Sequence, residues 1–126
     1  MTEPERERED VMNGEVPVLV YPAEGPAVRS TQDALDVLGE AFGAGAAWVA
    51  LPVERLDPDF FRLRTRVAGE IAQKFVQYKV GLAVVGDISG QVAESAALGD
   101  FVRESNRGRA LWFVDDLAQL RERLGR

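Results

Sequence analysis

Three arginines alternate with other residues in a short stretch at the predicted start of a helix. Arg62, Arg64 and Arg66 surround Thr65. Guanidinium groups and the free amides of a helix N-terminus both bind anions, and the Thr65 hydroxyl is a candidate phosphorylation site. Phe61 precedes the arginines, and its ring is expected to cover a loop or face a partner. These five residues form the predicted binding surface for a protein or an anion. The alternative is that the arginines form a solvated basic face, with only their aliphatic stems packed against the protein.

A second set of candidates lies where predicted strands end. Asp57 follows the second predicted strand, and Asp87 and Ser89 follow the third. Asp115 follows the fourth predicted strand. Because the carboxyl ends of parallel strands share one edge of a sheet, these four residues form an alternative ligand edge. A convergent group of such carboxylates would suit Mg²⁺, but helix capping explains the aspartates equally well, and no metal is assigned.

The composition limits the chemistry available to the chain. It contains no histidine and no cysteine, which excludes a histidine-assisted serine triad, a thiol nucleophile and an ordinary zinc site. Carboxylate, lysine and tyrosine chemistry stays open. The sequence therefore favours a non-enzymatic protein without excluding an enzyme, and we assign no catalytic residue and no cofactor.

Charge and hydropathy indicate the expected partners and location. The formal net charge is -6 and the isoelectric point is about 4.7, which argues against general binding to nucleic acid or to an anionic membrane. No apolar run approaches the ~20 residues of a spanning helix, and the N-terminus is polar rather than signal-like. We therefore expect a cytoplasmic protein, with no nucleic acid or membrane partner.

Apolar runs alternate with helical patterns along most of the chain. This alternation predicts an α/β fold with a four- to five-stranded, mostly parallel or mixed sheet and about four helices. The first strand, with a short return at 27–29, is a candidate antiparallel edge. Strands are predicted at 16–21, 46–51, 79–87 and 110–114, and helices at 30–42, at 57–75 with a break near Arg64-Thr65, from 92 to a terminator at 106–108, and after Asp115 or Asp116.

The chain divides into a tail and one domain. Residues 1–13 hold five acids and two bases but almost nothing apolar, a composition typical of disorder. Residues 14–126 are long enough for one hydrophobic core and are predicted to form a single domain.

Several unusual strings occur in one order along the chain: Asp57-Pro58-Asp59-Phe60-Phe61-Arg62-Leu63-Arg64-Thr65, Ala68-Gly69-Glu70-Ile71, Gln73-Lys74-Phe75, Val84-Val85-Gly86-Asp87-Ile88-Ser89, Phe101-Val102-Arg103-Glu104-Ser105-Asn106-Arg107-Gly108 and Trp112-Phe113. With these strings, the sequence resembles a bacterial family, domain of unknown function 4180, over residues 16–124. The family commonly has glycine where this chain has Arg66. It carries no assigned activity, so the resemblance implies almost nothing about function.

The chain also resembles the STAS domain of anti-sigma-factor antagonists in three features: the order of strands and helices, the acidic N-terminal segment, and the helix start near Thr65. That resemblance implies a small non-enzymatic switch that binds partner proteins. By position it makes Thr65 the switch residue, with Phe61 and the three arginines as contact surface, although the STAS string Asp-Ser-Ser-Gly is missing. The function predicted is a regulatory or protein-interaction module. The alternative is a small-molecule or nucleotide-binding protein, or a modest enzyme, at the ligand edge. A third possibility is a homodimer that pairs two copies through an exposed edge strand or the last helix.

Overall fold

A mostly parallel five-stranded sheet organises the protein. The computed structural model describes residues 8–9 and 16–125. The sheet follows chain order from β1 to β5, with β1 antiparallel to β2 and all other pairs parallel. The α/β architecture predicted from the alternating pattern is therefore confirmed. The strands are β1 (Arg8–Glu9), β2 (Val18–Val20), β3 (Trp48–Pro52), β4 (Gly81–Val85) and β5 (Leu111–Val114).

The edge of the sheet differs from the expectation for the first strand. β2 pairs in parallel with β3, and the antiparallel edge strand is the two-residue β1. The predicted return at 27–29 is reduced to one parallel bridge between Val28 and Leu56. The prediction of a disordered tail over residues 1–13 falls outside the described residues except at β1, which the structure gives as strand.

Residues 16–125 contain five α-helices and three 3-10 turns, and the last α-helix follows the last strand. Ser30 and Asp33 begin the first helix as predicted, because the Ser30 hydroxyl accepts from the Asp33 N–H at 3.2 Å. Gly45 ends it in the left-handed conformation, with φ 69°, which favours glycine. The α-helices are α1 (Thr31–Ala44), α2 (Val67–Tyr78), α3 (Ser89–Ala93), α4 (Ala96–Arg107) and α5 (Leu117–Leu124), and the 3-10 turns are Val53–Arg55, Pro58–Phe61 and Leu63–Thr65.

Two predicted helices are each divided. The helix expected over 57–75 breaks where predicted, and two 3-10 turns precede α2 instead of a short α-helix. Arg62, with extended backbone between those turns, prevents a continuous helix. The helix expected from 92 becomes α3 and α4, because Ser95 adopts an extended conformation and its hydroxyl accepts from the Leu98 N–H at 3.1 Å.

The helices cover the two faces of the sheet unequally. One core joins α1, α2 and α4 to one face, through side chains such as Leu38, Ile71 and Leu98. The other core, around Trp48 and Trp112, joins the opposite face to α5. This division follows from the consecutive strand order, because right-handed crossovers between successive parallel neighbours all fall on one side of the sheet.

At the carboxyl edge of the sheet, the first 3-10 turn lies against the turn after β4. Gly86, the first residue of that turn, has a φ of 138°, and a Cβ there would lie 2.8 Å from Cγ2 of Val53. Only glycine therefore allows this close approach. The contact holds the segment that follows β3 beside the segment that follows β4.

Candidate functional site

A cleft of about 620 Å³ opens at the carboxyl edge of the sheet. We call it the rim cleft. One wall is the segment 53–64, and the other is the corner between α3 and α4. Its apolar lining comes from the first wall, mainly Val53, Leu56, Pro58, Phe61 and Leu63. The cleft therefore lies where ligands bind in open parallel α/β sheets.

Phe61 contributes to the rim cleft as part of its wall. Phe61 is only 8% exposed, and the neighbouring Phe60 is 1% exposed. The two rings pack edge to face with centroids 5.2 Å apart. The ring of Phe60 continues into the core toward Phe113, at 6.4 Å. Contacts with the core therefore hold both rings in place, and Phe61 presents a fixed apolar edge to a ligand in the cleft.

Thr65 holds the turn that carries the arginines. Its hydroxyl donates toward the carbonyl oxygens of Asp59 and Arg62, each 2.7 Å away, and accepts from the Val67 N–H at 3.2 Å. The side chain is half-buried. These bonds connect the turns Pro58–Phe61 and Leu63–Thr65 to the first residue of α2. In this conformation the Thr65 hydroxyl therefore forms its hydrogen bonds with backbone groups of the same segment.

The three arginines separate into two groups. Arg62 and Arg64 line the rim cleft, and both are exposed. Arg62 pairs with Asp59 at 2.9 Å, whereas the Arg64 side chain has no hydrogen bond or ion pair within residues 16–125. Arg66 instead lines a second hollow of about 570 Å³ beside α2. Phe61, Arg62 and Arg64 are therefore brought together, while Thr65 supports them from behind and Arg66 faces elsewhere.

The backbone of Arg66 explains why its side chain leaves the group. Arg66 has a φ of 66° and caps the N-terminus of α2 without a side-chain hydrogen bond. This left-handed conformation turns the chain between the 3-10 turn and the helix. An L-residue other than glycine pays about 1 kcal/mol to adopt it.

The four residues of the alternative ligand edge lie outside the lining of the rim cleft. The carboxylates of Asp57 and Asp87 accept from the backbone N–H two residues further on, at 2.9 and 2.8 Å. Asp115 donates its own N–H to the Gln119 side chain. None of these three, nor Ser89, lines the rim cleft. Within the described ranges 8–9 and 16–125, no cluster of three or more acids could hold a metal ion.

The turn after β4 makes the Asp87 carboxyl group more acidic. The N–H of Ser89, and then the Ser89 hydroxyl, hydrogen-bond its carboxylate and lower its pKa below the ordinary value of 3.8. A carboxylate stabilised in this way is a weak base near neutral pH. Its geometry and its acidity both fit a turn cap.

Sequence reasoning missed the second wall of the rim cleft. Gln91, Glu94 and Ser95 lie at the α3–α4 corner and line the cleft opposite the arginines. Ser95 followed by apolar residues is a recognisable helix start, so the sequence contained a signal for this corner. No sequence signal indicated that the corner lies opposite Arg62 and Arg64, because about 30 residues separate them along the chain.

Arg55 was also missed, and it supports the first wall from behind. It is buried, with 8% of its surface exposed. Its guanidinium donates to the carbonyl oxygens of Pro26, Pro22 and Glu24 at 2.8, 3.0 and 3.2 Å. Arg55 therefore ties the loop after β2 to the first 3-10 turn, whose Val53 lines the cleft.

Fold and site together define a small α/β protein with a cleft at the carboxyl edge of its sheet. One wall of the cleft is apolar and carries Arg62 and Arg64, and the opposite wall is polar and carries Glu94. The family model Domain of unknown function (DUF4180) matches residues 13–124, and the chain belongs to this family, which confirms the resemblance noted from the sequence. No curated protein and no solved structure matches the chain. Among the described helices, none combines the length and the apolar character needed to cross a bilayer.

Proposed function

We propose that the protein is a non-enzymatic interaction module that binds an acidic segment of a partner protein in the rim cleft. The observation that carries the proposal is Arg64, an exposed guanidinium without a partner within residues 16–125 on the lip of an apolar cleft. In a chain of net charge -6, a local cationic site of this kind selects acidic ligands by complementarity.

The two kinds of surface in the cleft suit two parts of one ligand. The edge of Phe61 and the side chains of Val53 and Leu63 offer an apolar part of the first wall. Arg64 offers a planar group that binds a carboxylate through two hydrogen bonds. A peptide with an acidic side chain next to an apolar one would satisfy both. The STAS-like, regulatory role and the cytoplasmic location expected from the sequence are part of this proposal; the lack of cysteine supports the latter.

A small anionic molecule is the second candidate ligand, and the size of the cleft favours it. A volume near 620 Å³ falls within the range of about 300–1,000 Å³ found for small-molecule sites. Carboxylate catalysis at the strand ends is less well supported, since Asp57 and Asp87 are engaged as turn caps.

Binding of an array of short peptides that combine acidic and apolar residues tests the proposal. Fluorescence anisotropy would compare the unmodified protein with Arg64→Ala and with Arg103→Ala. Arg103 is a suitable control because it is also exposed but pairs with Asp100 on α4, away from the cleft. We expect Arg64→Ala to weaken binding about tenfold or more, and Arg103→Ala to leave it unchanged.

The salt dependence and a parallel ligand screen separate the two candidates. Peptide binding through Arg64 should weaken as ionic strength rises. A thermal-shift screen with nucleotides and sugar phosphates examines small anions, since a ligand at about a hundredfold excess over its Kd stabilises by about 2.7 kcal/mol. Peptide binding that is equally strong in Arg64→Ala would refute the proposal; a shift by a small anion alone would favour the second candidate.

A further inference from the structure

The large apolar side chains that stand exposed in the described chain lie at one end of the molecule. Phe42, Val76 and Tyr78 are 55, 50 and 39% exposed, and all three occupy the last turns of α1 and α2. Helices that connect parallel strands run back along the sheet. The last turns therefore lie at the edge opposite the rim cleft. We call Phe42, Val76 and Tyr78, with the neighbouring outer side of α1, the distal surface.

Phe42 and Tyr78 form an aromatic pair across the two helices. Their rings meet edge to face, with centroids 6.0 Å apart and an interplanar angle of 69°. This contact orders both rings but leaves much of each in water. Single exposed apolar residues are ordinary, whereas a cluster fixed in one place marks an interaction site.

The outer side of α1 lets another helix approach closely. Gly39 and Gly43 lie four residues apart on one face of α1, and a Cβ at either position would meet no atom within 4 Å. Glycine within a helix costs about 0.5–1 kcal/mol relative to alanine. Beside Phe42, these glycines leave a strip of bare backbone against which a second helix fits.

The charges of the two helices are complementary to each other. α1 carries no basic residue. Of its acids, Asp33 lies in the first turn and accepts from the Arg29 N–H, and Glu40 accepts from the Tyr21 hydroxyl; the exposed Asp36 is the acid available for a contact with another copy. α2 carries Glu70 and Lys74, and Lys79 follows directly as its C-cap. If a second copy is related by a two-fold axis, its α2 faces α1 of the first copy, and the reverse contact forms at the same time. Asp36 of each copy then meets Lys74 of the other copy, so the charge pair forms twice.

We propose that the distal surface binds the same surface of a second copy, forming a two-fold symmetric dimer in which α1 of each copy packs on α2 of the other. The rings of Phe42 and Tyr78 lie at the centre of this contact, and the charged residues lie around it. The dimer leaves the rim cleft open at the opposite edge, so it does not depend on the function proposed for that cleft.

Sedimentation equilibrium of the full chain over a wide range of protein concentration tests the dimer. We expect a monomer–dimer equilibrium that Phe42→Ser weakens about tenfold or more. Arg64→Ala, at the opposite edge, should leave it unchanged. Circular dichroism and thermal unfolding verify that each variant folds. A protein that stays monomeric at every concentration, or a dimer that survives Phe42→Ser, would overturn the proposal.

A charge exchange tests the two-fold arrangement itself. Asp36→Lys places lysine against Lys74 of the second copy, and Lys74→Glu places glutamate against Asp36, so each variant alone should dimerise less than the unmodified chain. An equal mixture should recover association, because each contact between the two variants then joins opposite charges. If the mixture associates no better than the separate variants, α1 does not face α2 and the proposed geometry is wrong.

Discussion

The hydroxyl of Thr65 donates to the backbone carbonyl of Asp59 at 2.7 Å, across six residues that contain both arginines of the rim cleft. The same oxygen lies 2.7 Å from the carbonyl of Arg62. A single side chain thus sets the shape of the turn that presents the cationic wall. A phosphate on this oxygen would remove both donated bonds, so phosphorylation of Thr65 requires the turn to open.

Replacing Thr65 with valine should destabilise the protein and weaken ligand binding in the cleft. The carbonyls of Asp59 and Arg62 lose a donor in a half-buried position, at a cost of about 1–2 kcal/mol. Urea denaturation monitored by tryptophan fluorescence would measure the change in the free energy of unfolding. Thr65→Ser is the control, because it keeps the hydroxyl; equal stability of the two variants would show that the bonds contribute nothing.

Arg66→Gly should stabilise the protein by up to about 1 kcal/mol. The φ of 66° is unfavourable for arginine and free for glycine. Arg66→Ala removes the same charge but keeps the strain, so it should give no such gain. The two variants can be compared by thermal unfolding. An Arg66→Ala variant as stable as Arg66→Gly would contradict this explanation.

Gly81→Ala should be strongly destabilising. A Cβ at Gly81 would lie 2.3 Å from the indole ring of Trp48, which is buried and packs on Trp112 with ring centroids 4.1 Å apart, so the substitution must disturb this pair of rings. We expect a loss of about 3 kcal/mol in the free energy of unfolding. Gly69→Ala is the matched control, because nothing lies within 4 Å of its Cβ position and helix propensity favours alanine there.

The pKa of Asp87 should be measurable by NMR as a midpoint below 3.8, the ordinary value. Because the pKa is lower in the folded protein, the stabilisation is fully present above the unfolded pKa and is lost as the pH falls through the folded pKa. Ser89→Ala should raise the midpoint only part of the way, since the backbone N–H of residue 89 stays in place. A midpoint that does not change in Ser89→Ala would exclude a contribution from the hydroxyl.

Local signals in the sequence were sufficient for the elements and for part of the site. The apolar runs identified the four long strands because a strand buried on both faces is apolar throughout. The Ser30 and Gly45 signals placed the ends of α1, and the break at Arg64-Thr65 placed the turn before α2. The family and the cationic character of the wall were also evident, since both depend only on which residues follow one another.

Tertiary structure decided how these parts meet. Strand order, the antiparallel β1 and the α3–α4 corner opposite Arg64 depend on contacts between distant residues, which no local periodicity specifies. The separation of Arg66 from Arg64 depends on one residue with left-handed backbone. Asp57 and Asp87, which follow successive strands, each accept a hydrogen bond from the backbone N–H two residues further on, in separate turns. Sequence spacing determined which side chains were available; the packing of backbone segments determined which of them share a cleft.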